Sequence, residues 1–96
     1  MLLNEVSKIL KAHKKDLIQK GVRALSIFGS IARNEGSAKS DVDILIDFDS
    51  KKGFFFFVEL KNYLEQLLNR DVDLVTKNAL HPALKKRILK EAKNVF

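Results

Sequence analysis

The run Ala24-Leu25-Ser26-Ile27-Phe28-Gly29-Ser30, followed after ten residues by Asp41-Val42-Asp43-Ile44-Leu45-Ile46, decides how this chain folds. Both apolar runs have the length and composition of strands. A Gly-Ser turn therefore closes one strand and a carboxylate pair opens the next. Residues i and i+2 of a strand share a face, which sets Asp41 beside Asp43. Val42, Ile44, Ile46 and Phe48 fall on the opposite face and suit a core. Two acids at the start of a strand pack poorly, but they are well chosen to hold a cation.

Outward from this segment, residues 2 to about 19 place Leu2, Leu3, Val6, Ile9, Leu10, His13 and Leu17 at helical spacing, with Gly21 as a stop. The first strand runs near Arg23–Phe28. Ile31-Ala32-Arg33 opens a short helix, and residues 34–40 form a polar loop. The second strand covers about Val42–Phe48. A helix over about Phe54–Asn69 has Phe56, Phe57, Leu60, Tyr63, Leu64 and Leu67 as its main stripe, with Phe55 and Val58 turned away from it. The third strand is Asp71–Val75, with Asp71, Asp73 and Val75 on one face. Pro82 starts a last helix reaching about Asn94, with Leu84, Ile88, Ala92 and Val95 as its stripe and Lys86, Arg87, Lys90 and Lys93 opposite. His13 and His81 read as packing and helix-start residues. This order predicts one α/β (α+β) domain over residues 1–96: a small mixed sheet of about three strands flanked by helices, with one face partly open.

Composition narrows the functional classes. There is no cysteine, so disulfides, thiolate metal sites and cysteine nucleophiles are excluded. The start, Met1-Leu2-Leu3-Asn4-Glu5, carries no basic segment before an apolar core, and no apolar run approaches the roughly 20 residues that span a bilayer. A cytoplasmic protein without membrane contact is the expectation. The net charge of +6 raises the question of nucleic acid. The lysines are spread over helix faces without interleaved aromatics, so solvated faces and attraction to a polyphosphate are the favoured explanation.

If the second and third strands are neighbours, Asp73 joins Asp41 and Asp43 on one face. Such carboxylates repel and raise each other's pKa; a hard divalent cation removes that penalty, and Mg2+ keeps positions open for phosphate oxygens. Two such ions can stabilise both the attacking and leaving oxygens of a displacement at phosphorus. Gly29 lets the backbone approach a ligand, the helix start offers amides to an anion, Ser30 adds a hydroxyl, and Arg33 adds a fixed charge. A phosphate cradle beside metal carboxylates describes a nucleoside triphosphate site. With no obvious covalent nucleophile, the implied reaction is attack at the α-phosphorus with pyrophosphate leaving.

Gly29-Ser30, ten residues, then Asp41-Val42-Asp43 resembles the signature of the DNA polymerase β-like nucleotidyltransferase superfamily, and most closely its minimal members, the MNT antitoxins of HEPN/MNT toxin–antitoxin pairs. Val72-Asp73-Leu74-Val75 is similar to the segment carrying that family's third carboxylate, and the likeness extends over nearly the whole chain. The resemblance implies a nucleotidyltransferase fold, with Asp41, Asp43 and Asp73 as metal ligands and catalytic residues. Gly29, Ser30 and Arg33 would hold the nucleotide, with two Mg2+ ions as cofactors and ATP as substrate. It further implies transfer of AMP to a tyrosine of a cognate HEPN RNase toxin, in a hetero-oligomer with it. The alternative is a non-catalytic antitoxin that neutralises its partner by occlusion. Asn34 departs from the family pattern, where glycine is common after Ala-Arg, and bears on loop shape alone. Larger relatives carry a helical domain that grips base and acceptor; without it, the acceptor side comes from a partner, for which Phe55 and Val58 are candidate contacts.

Overall fold

The computed structural model describes residues 2–36 and 40–96, so the middle of the polar loop expected at 34–40 lies outside the described residues. The elements in order are α1 (Leu3–Ala12), α2 (Lys14–Gln19), β1 (Val22–Phe28), α3 (Gly29–Ala32), β2 (Val42–Phe48), α4 (Gly53–Leu68), β3 (Val72–Thr76), α5 (Pro82–Glu91) and β4 (Lys93–Asn94). Short 3-10 turns precede α4 and α5. The single helix expected over 2–19 is two helices broken at His13. There the imidazole Nδ1 donates to the Ile9 carbonyl at 2.8 Å, while the His13 backbone N–H turns to Leu10. The ring takes the acceptor that a continuing helix would use.

The sheet is mixed, in the order β3-β2-β1-β4, one strand more than the sequence reading. β1 runs antiparallel to both β2 and β4; β2 and β3 are parallel, joined by α4 as the crossover such a pair requires. Val42, Ile44 and Ile46 of β2, Leu25 and Ile27 of β1, and Val72 and Leu74 of β3 join Val6, Leu10, Leu60, Leu64 and Leu68 in one buried cluster. This is the face assigned to the core by strand alternation. Leu45 points the other way and is nonetheless only 1% exposed, because the turn Lys77–Ala79 folds back against β2.

Two expectations need correction. The last helix ends at Glu91, not Asn94, because Lys93–Asn94 pairs with Ser26 and Ile27 on the free edge of β1. Val95 is then buried beside Leu25, whose carbonyl accepts its N–H at 2.8 Å. Of the proposed stripe, Leu84 is exposed, Ile88 and Ala92 are half-buried, and Val95, which lies beyond the helix, is buried; no residue of α5 itself is fully buried. In α4 the buried line is Leu60, Leu64 and Leu68, with Phe57, Tyr63 and Leu67 flanking it. Phe56 lies outside the core, exposed ahead of the buried line that begins at Leu60, and Lys52 Nζ lies 5.5 Å from its ring centre. Phe54 and Phe55 are 80% and 70% exposed, and Val58 is exposed as well. No described helix is long and apolar enough to cross a membrane.

Candidate active site

The acids are brought together by strand register. In the parallel ladder Asp43 stands opposite Asp73, both off the core face, and Asp41 lies two residues earlier, just before β2. Asp41 and Asp73 are exposed and Asp43 is half-buried. The Asp43 carboxyl is pushed above the usual carboxylate range, first by burial, then by the charge of Asp73 and that of Asp41; Glu91 adds to the rise and Arg33 opposes it. The three acids therefore act within one electrostatic neighbourhood.

Gly29 closes this neighbourhood on the β1 side. It follows Phe28, the partner of Asp43 across the antiparallel ladder, and turns the chain with φ +73°. A Cβ placed there would overlap Asp43 Oδ2 and come within 2.9 Å of its Cγ. Only a glycine lets this turn lie directly against the carboxylate. The single-turn helix α3 is pinned by the buried Ile31 and Ala32, leaving Ser30 half-buried at the rim. Its turn is extended by Arg33 N–H to the Gly29 carbonyl at 3.2 Å and Glu35 N–H to the Ser30 carbonyl at 2.8 Å.

Arg33 is not free at this rim. Its Nε donates to Glu35 Oε2 at 2.9 Å and its Nη1 donates to Glu91 Oε1, two contacts that hold the guanidinium firmly protonated. Glu91 escaped the sequence reading; its only signal there was an acid at the end of an otherwise basic helix. Beside Asp41 a polar cleft of about 710 Å3 opens towards the second half of α4, with Asn62, Glu65, Gln66, Asn69 and Arg70 on its walls. Glu65 Oε2 accepts the Val72 N–H at 3.0 Å and so ties α4 to the start of β3.

Among the described residues no three acidic or histidine side chains converge closely enough to hold a metal ion by themselves. What stands on the face is a set of adjacent, mutually repelling carboxylates. Its chemistry fits a hard divalent cation that draws them in and completes its shell with water or phosphate oxygens.

The family model for the polymerase β nucleotidyltransferases matches residues 4–96. A protein from Thermococcus cleftensis named protein adenylyltransferase MntA is 46% identical over 92 residues, covering 95% of this chain and 93% of that one. A solved structure described as a minimal nucleotidyltransferase superposes with a TM-score of 0.85 at 32% identity, covering 97% of this chain and 95% of the other. A toxin–antitoxin structure with AMP-PNP superposes with a TM-score of 0.74 at 25% identity, covering 100% of this chain and 73% of the other.

Proposed function

The chain belongs to the polymerase β nucleotidyltransferase family, and we propose that it is a Mg2+-dependent protein adenylyltransferase and antitoxin, moving AMP from ATP to a tyrosine of a cognate HEPN-type toxin. The observation that carries this reading is the register of Asp43 against Asp73, with Asp41 alongside and Gly29 pressed on the same carboxylate. The relatives named as an adenylyltransferase and as a toxin–antitoxin with AMP-PNP support the donor and the class of partner. ATP as donor places the reaction in the cytoplasm.

In this reading Asp41, Asp43 and Asp73 hold the magnesium, which supplies positive charge to the triphosphate. The Gly29–Ser30 turn brings backbone and hydroxyl against phosphate oxygens. Asp73, exposed at the edge of the set, accepts the proton of the attacking tyrosine hydroxyl. The tyrosine oxygen bonds to the α-phosphorus, the bond from that phosphorus to the pyrophosphate breaks, and AMP remains on the tyrosine.

A second reading, a non-catalytic antitoxin acting by occlusion, draws on the exposed aromatic turn Phe54–Phe56 with Val58, an apolar surface suited to a protein contact. One experiment separates the two. The chain is incubated with α-labelled ATP, Mg2+ and the protein encoded beside it. Label on a tyrosine of that protein, lost with Asp41→Asn/Asp43→Asn, is expected. An unlabelled partner that is fully inhibited by the double variant would establish occlusion instead.

A further inference from the structure

The two ion pairs of Arg33 use different edges of its guanidinium. Nε is held by Glu35, two residues away on the same turn; Nη1 is held by Glu91, 58 residues on, at the end of α5. Resting on the nucleotidyltransferase reading, we propose that Glu91 is a positioning residue that keeps the Nη1 edge of Arg33 occupied until a nucleotide phosphate displaces it, so that phosphate binding and the tether of α5 compete.

Three observations bear on this. First, the pair stands beside the acidic set: Arg33 ends the single turn that Gly29 opens, its N–H bonded to the Gly29 carbonyl at 3.2 Å, and Gly29 lies directly against Asp43. Second, Glu91 is anchored by β4 two residues on, but the helix before it has no buried residue and meets the fold chiefly at α3. Releasing the carboxylate therefore sacrifices no core packing. Third, Arg33 and Glu91 side chains remain 45% and 24% exposed, and ion pairs of that kind hold only weakly against a competitor. A phosphate group brings more charge than one carboxylate and fits the guanidinium fork. Glu35 keeps the guanidinium oriented through Nε during the exchange.

The test measures affinity for AMP-PNP with Mg2+ by calorimetry, on the whole chain and on Glu91→Gln, Glu91→Asp, Arg33→Gln and the Glu91→Gln/Arg33→Gln pair. Removing the competing charge should tighten binding by about three- to ten-fold in Glu91→Gln, with Glu91→Asp near wild type. Arg33→Gln should weaken binding, and the double variant should match Arg33→Gln alone. Backbone amide exchange in α5 should rise on adding AMP-PNP to the wild type, and should already be raised in Glu91→Gln without nucleotide. If Arg33→Gln weakens binding but Glu91→Gln leaves it unchanged or weaker, the competition is refuted while Arg33 stays in the nucleotide site. If neither substitution matters, the role of Arg33 falls as well. Equal tightening in Glu91→Asp would also overturn the proposal, because that variant keeps the charge.

Discussion

Gly29→Ala tests the close approach on which the site depends. At φ +73° an alanine pays the left-handed penalty of about 1–2 kcal/mol. Its Cβ also meets Asp43 Oδ2, forcing the carboxylate off its rotamer at a further cost of about 0.5–1.5 kcal/mol. The sum, about 1.5–3.5 kcal/mol, corresponds to a fall in Tm of about 7–18 °C for a chain of this size. Catalysis should suffer more, because moving a reacting group by about 1 Å can cost 10²-fold in rate. Differential scanning fluorimetry and transfer of labelled AMP read the two effects. The decisive control is the same substitution in an Asp43→Ala background, where the carboxylate is gone. The backbone penalty and the 3.2 Å approach to the residue-43 Cβ persist there, but the collision with Oδ2 and Cγ does not, so the stability cost of Gly29→Ala should shrink by the carboxylate's share. An unchanged cost in both backgrounds would show that Gly29 and Asp43 do not touch, and the reasoning would fail.

Asp43 also sets a pH dependence. Its folded pKa is raised, so the folded state binds this proton more tightly than the unfolded one, and stability falls as pH rises from the unfolded carboxylate pKa through the folded value. Asp43→Asn should therefore raise Tm at pH 7 relative to wild type, with the advantage vanishing near pH 3.5, while transfer of AMP is abolished. A variant less stable than wild type at pH 7 would contradict the raised pKa. Mg2+ with ATP should raise the wild-type Tm by mass action and leave that of Asp43→Asn nearly unmoved, as read in the same thermal scans. Phe54→Ser/Phe55→Ser should leave the stability within about 0.5 kcal/mol of wild type, since neither ring is buried. The same pair should weaken co-purification with the partner; full retention would discount that surface. Deleting residues 93–96 removes β4 and the buried Val95, and should cost at least about 2 kcal/mol in urea unfolding.

Strand alternation at Val42–Phe48 was legible because β2 is central and one of its faces is wholly apolar; its bounds and its core face agree with the sequence reading. β4 had no such signal. Lys93 and Asn94 are both exposed, and they form a strand only because β1 has a free edge for them to meet. The same pairing shortens α5 and leaves Leu84 at its start exposed, which helical periodicity alone does not reveal. Phe56 was misplaced as well: spacing assigns it to a stripe, but the buried line of α4 begins only at Leu60. At the candidate site, Gly29, Asp41 and Asp43 are legible from local spacing, and Asp73 only once β3 is set beside β2. Glu91 does not, because its meaning lies in a contact formed only after the chain returns along α5.

The aromatic turn and the acids occupy opposite ends of β2. Phe48 comes five positions after Asp43, about 16 Å of extended chain, and packs edge-on against Phe57 at 5.9 Å between ring centres, in the same first part of α4 as the exposed phenylalanines. Substitutions at Phe54 and Phe55 thus leave the carboxylates and the Gly29 turn untouched. Occlusion at the aromatic end and transfer at the acidic end are therefore not rival uses of one surface: one can be removed by substitution while the other is measured. A half-buried Asp43 held among like charges lowers stability, and mere capture of a partner at the far end of the sheet gives no reason to keep it. The cost is accounted for if a cation and a triphosphate complete the site.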